Sequence, residues 1–371
     1  MTSYLSAAEL TDALNLRDLS DPDQGHHAMQ TLLDGVVSAL AGHWDIPAET
    51  IRYSPLVAVA DNYDKLGFDP TAVTRDRRYS RYVSPTVMLR SHTSASIPTL
   101  LQSVSTQTSC DRLLVLPGLV YRRDAIDRTH VGAPHQVDLW RVSSGKTLTA
   151  ADLQTMIETL VKTVLPGAKW RAVSAAHPYT VDGCQVDVSI AGEWLELAEC
   201  GLIAPHILTA AGLDPDAWSG LALGMGLDRA LMLRKGIPDI RLLRAADPRI
   251  AQQMLTLSPW QAISVMPVIR RDISIVVDVA ADAETLGDRA RAALGDRIDD
   301  LESVEVLNAT AYADLPRGAQ DRLRLRPDQA NALVRLTLRP ISKTLTHGEA
   351  NDIRDDIYRA LHEGPVLELI G

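Results

Sequence analysis

The sequence predicts an α+β fold: a mostly antiparallel sheet with helices outside it, then a small ferredoxin-like α/β sandwich. Three observations carry this. Short runs of alternating apolar and polar residues follow one another through the middle of the chain without regular helices between them, unlike the strand–helix alternation of a parallel sheet. Longer stretches with apolar residues at helical spacing flank those runs. Past Pro259 the pattern restarts as strand, helix, strand, strand, helix, which is the split-βαβ plan. At 371 residues the chain is expected to hold two domains and a small N-terminal annex, bounded at 1–26, 27–257 and 258–371.

Residues 1–25 are polar and end in the turn-rich Asp21-Pro22-Asp23-Gln24-Gly25. From 27 to 44, Met29, Leu32, Leu33, Val36, Val37 and Leu40 recur at helical spacing. Residues 51–59 alternate loosely around Pro55, which suits an edge or interface strand. Residues 61–82 are charged and aromatic and read as loop. The run 87–90 leads into Ser91-His92-Thr93-Ser94 and a helix over 100–104. Residues 113–116 and 118–124 read as two strands and 135–140 as another. Alternation in the last puts His135, Val137 and Leu139 on one face and Gln136, Asp138 and Trp140 on the other. A helix over 148–164, capped near Thr149, closes at Pro166-Gly167. Strands over 170–173, 184–190 and 194–197 then lead to Ala198-Glu199-Cys200-Gly201.

The stretch 220–243, GLALGMGLDRALMLRKGIPDIRLL, joins a glycine-lined strand to a helix. Gly220, Gly224 and Gly226 remove side chains that would block close approach, and Arg229 brings a charge that does not titrate. That combination suits a nucleotide triphosphate, with simple packing as the alternative. The spacing is not that of a dinucleotide-binding fingerprint. In the tail, strands are expected over 273–277, 301–309, 332–338 and 366–369, with helices over 283–294 and 348–361. Arg322, Arg324 and Arg326 alternate, so an extended chain there would put three guanidiniums on one side.

A formal charge of −10 argues against a general polyanion binder, though a local basic groove is compatible with it. Cys110, Cys184 and Cys200 are odd in number and lack C-x-x-C spacing, so they read as reduced thiols rather than a disulfide framework or zinc site. No apolar run approaches a membrane span, and no signal-peptide pattern opens the chain. A cytoplasmic location without membrane association is expected.

The combination of LRSHTS (89–94), GLVYRRD (118–124), THVGAPHQVD (129–138), WLEL (194–197) and GMGLDR…GIPDIRLL resembles the catalytic subunit of phenylalanyl-tRNA synthetase, a class II aminoacyl-tRNA synthetase. The tail, with RRDIS (270–274) and KTLT (343–346), resembles its ferredoxin-like anticodon-binding domain. Both in one chain is the layout of the single-chain, mitochondrial type, and such a chain is compatible with a monomer. The resemblance implies the class II antiparallel sheet, ATP and Mg²⁺, an amino acid and tRNA as partners, and activation of the amino acid as an adenylate. By motif position it implies that Arg122 meets the α-phosphate and Arg229 the adenine and outer phosphates, with Asp124, Pro134 and Gly226 also at the nucleotide. It implies that His92, Ser94, His130, Gln136, Asp138 and Ala222 surround the amino acid, Gln136 and Asp138 facing its ammonium group. No metal ligands are assigned.

Departures from the family concern the amino-acid pocket. A Phe-Pro-Phe-type segment is expected where His177-Pro178-Tyr179 stands, and Glu199 replaces a glycine of a glycine-rich turn. Leu221 and Leu223 flank Ala222 where phenylalanines are common, Pro134 replaces an aromatic platform, and Ile97 stands where glutamine is frequent. Bare hydrocarbon walls suit a benzyl group, whereas a facing carboxylate needs a partner. His177, Tyr179 and Glu199 therefore either line a more polar pocket, or turn away from it or pair among themselves. Three functions follow: a phenylalanyl-type synthetase; a paralogue activating another amino acid for a carrier protein or small-molecule pathway; and a catalytically weak tRNA-binding regulator.

Overall fold

The computed structural model describes residues 4–76, 79–105, 110–123, 125–262, 267–341 and 343–367. They divide into two compact units, one of residues 1–122, 133–237 and 252–260, the other of 123–132, 238–251 and 261–371. N-terminal residues belong to the first unit, and two inserts, 123–132 and 238–251, belong to the second.

Strands of the first unit are β1 (Ala48–Thr50), β2 (Leu56–Ala58), β3 (Val87–Leu89), β4 (Asp111–Leu119), β5 (His135–Ser144), β6 (Trp170–Ser174), β7 (Thr180–Ile190), β8 (Glu193–Ile203) and β9 (Trp218–Gly226). Among the described residues they form a seven-stranded sheet in the order β1-β4-β5-β9-β8-β7-β6 and a small β2-β3 pair. Every pairing in the large sheet is antiparallel except β1 with β4 at its edge. The helices Ala28–Trp44, Ala150–Val164 and Leu227–Lys235 pack against one another and the sheet. Trp140 and Ala222 instead share a core with Ile97, Leu101, Ile203 and Ile207 from the helices Ile97–Val104 and Pro205–Ala210 and the end of β8.

Local chemistry accounts for these helices. The His27 ring accepts from Met29 N at 3.2 Å and the Gln30 side chain from His27 N at 3.3 Å, a reciprocal cap that satisfies two otherwise orphaned donors. Asp45, in the left-handed region, ends that helix. Asp152 accepts from Thr149 N at 2.9 Å in the same way at the next long helix.

Four sequence expectations are corrected in this unit. Residues 51–59 do not form one edge strand; Pro55 separates β1 from β2, which lie in different sheets. Residues 118–124 are not a separate strand: Gly118 and Leu119 finish β4, and Arg122 makes only an isolated bridge to Ser80. Residues 198–201 are not a turn but the middle of β8. Leu221 and Leu223 alternate with Ala222 along β9, so they point to the sheet face opposite to it.

The second unit contains β10 (Ile269–Asp278), β11 (Leu301–Ala311) and β12 (Gln329–Leu338), an antiparallel sheet in the order β10-β12-β11. One apolar core joins alternate residues of this sheet, among them Ile273, Ile275, Val334 and Leu336, to Leu286 and Ala290 of the helix Ala283–Leu294 and Ile353 and Ile357 of the helix His347–Leu361. These are the first five elements of the split-βαβ plan. After the last helix the chain returns to β10, Glu363 N donating to Val276 O at 2.7 Å. Val366 and Leu367 carry no strand, and positions 368 and 369 of the expected final strand lie outside the described residues. Residues 322–326 are not extended. Arg322 is in the helix Arg317–Leu323, Arg324 caps it in the left-handed region, and Arg326 pairs with Asp328 at 3.2 Å, so the three guanidiniums do not line one strand face.

Candidate functional site

The site is built on one face of β5, β9 and β8 in the first unit. Arg122 is held at two points: its Nε donates to Ser91 O at 2.7 Å and its Nη2 to Gln136 Oε1 at 3.3 Å. Arg229 follows β9 in the first turn of the helix Leu227–Lys235, and its Nη1 donates to Glu196 O at 3.5 Å. Burial and the nearby Glu199 raise the pKa of Glu196, while Arg229 and Arg122 pull it back down. Arg229 thus reaches the Glu196 backbone, and the charges of both arginines are felt at its side chain. Sequence reading did not single out Glu196, although it lies within the WLEL motif; its nearness to Arg229 is a tertiary signal.

Asp138 is buried. It accepts from Thr93 Oγ1 at 2.5 Å and Trp140 Nε1 at 3.1 Å. Burial raises its pKa against the pull of these donors and of Arg90. A cation arriving beside it would offset that burial cost. Ser94 is itself buried, and burial with the Asp138 and Glu199 carboxylates pushes the Tyr179 hydroxyl toward the neutral phenol.

The three glycines of β9 do different things. A Cβ at Gly220 would strike Ile203 Cδ1 and come within 2.6 Å of Arg141 O, so this glycine serves packing. At Gly224 a Cβ would meet Gln136 Nε2 at 3.3 Å and Asp138 Oδ1 at 4.0 Å, so its bareness leaves floor between those groups. A Cβ at Gly226 would meet nothing within 4 Å. Ala222 is buried one row further along the same face, opposite Trp140 and Gly201.

An aromatic chain walls this floor. Phe68, the only phenylalanine, stacks on His92 at 5.5 Å between centroids and lies 6.3 Å from Tyr179. Tyr179 stacks on Trp140 at 5.9 Å and on His177 at 6.0 Å. Both His92 ring nitrogens are shielded from solvent without a hydrogen-bond partner among the described residues. Burial and then the charge of Arg122 hold this imidazole down to about 3 from its ordinary 6.5, so it is neutral. His177 Nε2 lies 3.4 Å from Glu199 Oε2, and its Nδ1 lies 3.2 Å from Thr180 Oγ1. The His177 bond, opposed by burial and helped by Arg122, holds the Glu199 carboxyl below its usual range. His177 and Glu199 therefore pair, while the Glu199 side chain remains 45% exposed.

The remaining sequence-derived candidates fall elsewhere. Pro134 is half-buried beside β5, its carbonyl accepting from Val120 N at 2.9 Å. His130 belongs to the second unit, 2.7 Å from Asp127 Oδ2. Asp124 lies outside the described residues. Among the described residues, no group of three or more His, Cys, Asp or Glu side chains is arranged to hold a metal, and no helix is long and apolar enough to cross a membrane.

Residues 23–254 match the family of tRNA synthetases class II core domain (F). The chain belongs to that family. The antiparallel sheet flanked by helices is the class II synthetase core fold. Among its relatives is a phenylalanine–tRNA ligase alpha subunit of Prochlorococcus marinus, 35% identical over 192 residues, 52% of this chain and 56% of that one. A phenylalanine–tRNA ligase alpha subunit of Synechocystis sp. is 31% identical over 235 residues, 62% of this chain and 68% of that one. The match to the first relative spans little more than half of that protein's length. A solved pyrrolysyl-tRNA synthetase of Desulfitobacterium hafniense has a TM-score of 0.47 at 16% identity over 61% of this chain and 76% of that one, a likeness too distant to bear on substrate.

Proposed function

We propose that this class II synthetase activates an amino acid with ATP as an aminoacyl-adenylate and transfers it to tRNA, in the manner of a single-chain phenylalanyl-type enzyme. The observation that carries this is Arg122, tethered to Ser91 and Gln136, together with Arg229 at the backbone of Glu196 in the same unit. The reaction needs little proton transfer. An amino-acid carboxylate attacks the α-phosphate and pyrophosphate leaves, so rate comes from positioning and from charge held where it develops.

In this reading Arg122 binds the α-phosphate and Arg229 the adenine and outer phosphates, with Pro134 and Gly226 beside the nucleotide. Asp124 is the neighbouring acidic position. Asp138 and Gln136 take the ammonium group over the bare Gly224; His92, Ser94, Tyr179, His177, Glu199 and Ala222 surround the rest of the amino acid. His130, from the second unit, is the remaining candidate. Mg²⁺ bound with ATP would be held mainly by phosphate oxygens, for which one or two protein carboxylates suffice. Glu196 suits that need, and Mg²⁺ would supply charge neutralisation of the leaving pyrophosphate. Residues 258–371, which from 261 onward belong to the second unit, are proposed as the anticodon-binding part.

The His177–Glu199 pair favours a second reading, a paralogue whose amino acid is not phenylalanine and whose acceptor is a carrier protein or small molecule. ATP–pyrophosphate exchange over an amino-acid panel tests activation, and the fate of labelled amino acid, on tRNA or on protein, separates the two. Absence of exchange with every amino acid would leave only a tRNA-binding regulatory role.

A further inference from the structure

We infer that the amino acid taken by this site carries a hydrogen-bond donor, a hydroxyl or amine, at the far end of its side chain; the inference rests on the proposed adenylation reading. The register supplies the frame. Asp138 on β5 and Glu199 on β8 are each directly opposite Gly224 on β9. Directly paired residues of adjacent strands point to the same face, so the two carboxylates rise from one floor with no side chain between them. Two strand spacings separate their backbones by about 10 Å. One end of this trough carries Asp138 and the Gln136 amide, and the other carries Glu199.

The next row continues the floor with Ala222 and Gly201, opposite Trp140. Thr180 leans over Gly201, where a Cβ would come within 2.6 Å of it, and so limits depth in that direction. Tyr179, stacked between Trp140 and His177, forms an apolar wall. The long axis open to a side chain therefore runs from Asp138 toward Glu199.

Glu199 is ionised and half-exposed, and His177 is its one ion-pair partner among the described residues. A carboxylate offers about four acceptor positions. A bare benzyl or alkyl group against it would strip water from those positions and return nothing. A side-chain carboxylate would meet like charge. A donor group restores what desolvation removes. At the other end of the aromatic chain, both His92 nitrogens are shielded and lack a hydrogen-bond partner among the described residues.

The test uses ATP–pyrophosphate exchange with the full chain and matched pairs of amino acids: phenylalanine against 3-hydroxy-, 4-hydroxy- and 4-aminophenylalanine, and norleucine against lysine. In at least one pair the donor-bearing member should win by about 100-fold or more in kcat/KM, the selectivity of a site built to bond a polar group. Glu199→Gly should collapse that ratio toward unity, and Glu199→Gln, which keeps shape but not charge, should lower it. Preference for the bare hydrocarbon in every pair, or a ratio indifferent to both variants, overturns the inference while leaving adenylation standing. Exchange with no amino acid overturns the adenylation reading itself. If both variants unfold, the ratios of the unaltered protein still decide.

Discussion

Asp228 accepts twice from His135, from the backbone N–H at 2.5 Å and from ring Nδ1 at 3.0 Å, while His135 Nε2 accepts from Leu19 N at 2.9 Å. The ring proton is therefore on Nδ1, and both residues are buried. This ties the first residue of β5, beside Gln136, to the helix residue before Arg229. Asp228→Asn keeps the shape but sets an amide N–H against one of the two donors. It should lower stability by about 1–3 kcal/mol in urea unfolding and reduce exchange activity through displacement of Arg229. Unchanged stability would mean the pair is not a structural tie.

Arg122→Lys keeps a charge but gives up the fork that reaches Ser91 O and Gln136 together. Pyrophosphate exchange should fall in kcat by about 10²- to 10³-fold, the range for removing one preorganised stabilising donor, with the melting temperature little altered. A fall confined to the amino-acid KM would contradict the α-phosphate role.

The β9 glycines should separate cleanly. Gly220→Ala places a methyl against Ile203 and the Arg141 carbonyl and should destabilise the fold by about 1–3 kcal/mol. Gly226→Ala, with open space around it, should leave unfolding unchanged. Gly224→Val should fold but raise the KM for the amino acid, because its branch would occupy the floor between Gln136, Asp138 and Glu199.

His92 makes stability depend on pH. Its folded pKa is held down to about 3 against 6.5 for the ordinary group. The unfolded chain takes up the proton first as pH falls, so this contribution is complete above pH 6.5 and is lost progressively toward pH 3. Between pH 6.5 and pH 5 the loss should be about 2 kcal/mol. Urea unfolding of His92→Phe, which keeps a ring against Phe68, should show a flatter pH dependence over that interval; an identical slope would refute the assignment.

Cys184 and Cys200 are directly opposed on β7 and β8, with sulfurs 3.4 Å apart. The Cys200 thiol bonding to Cys184 pushes Cys184 down, against burial, and pushes itself up. A small-molecule disulfide such as oxidised glutathione should be attacked by the Cys184 thiolate; Cys200 then displaces the mixed-disulfide thiol, forming an intramolecular bond. Intact mass should fall by about two hydrogens, and Cys184→Ser should abolish the change. A stable mixed disulfide would show that the strands do not permit closure.

Much of the fold was legible because its signals are local. Period and capping marked the helices at 28–44 and 150–164 to within a few residues, and alternation on β5 assigned Gln136, Asp138 and Trp140 to one face, as the Trp140–Asp138 hydrogen bond requires. Strand ends were less legible: Gly118 and Leu119 look like a new start after Pro117, yet the ladder with β5 runs through them to Leu119. The arginines at 322–326 alternate in sequence, but a helix and a left-handed cap remove the alternation in space. Sequence spacing carried no sign that Cys184 and Cys200 are neighbours, because strand pairing brings them together.

By itself, the order of residues determined the periodicities, the helix caps and the motifs that mark a class II synthetase core, because each is written within a few positions. Only the tertiary structure decided that Arg229 reaches the backbone of Glu196, that Leu221 and Leu223 turn away from the floor, and that Glu199 answers His177. Those outcomes depend on which strands lie side by side. The pairing of β5 with β9 and of β9 with β8 is settled by burial and backbone hydrogen bonding across the whole sheet, and no single stretch of sequence contains it.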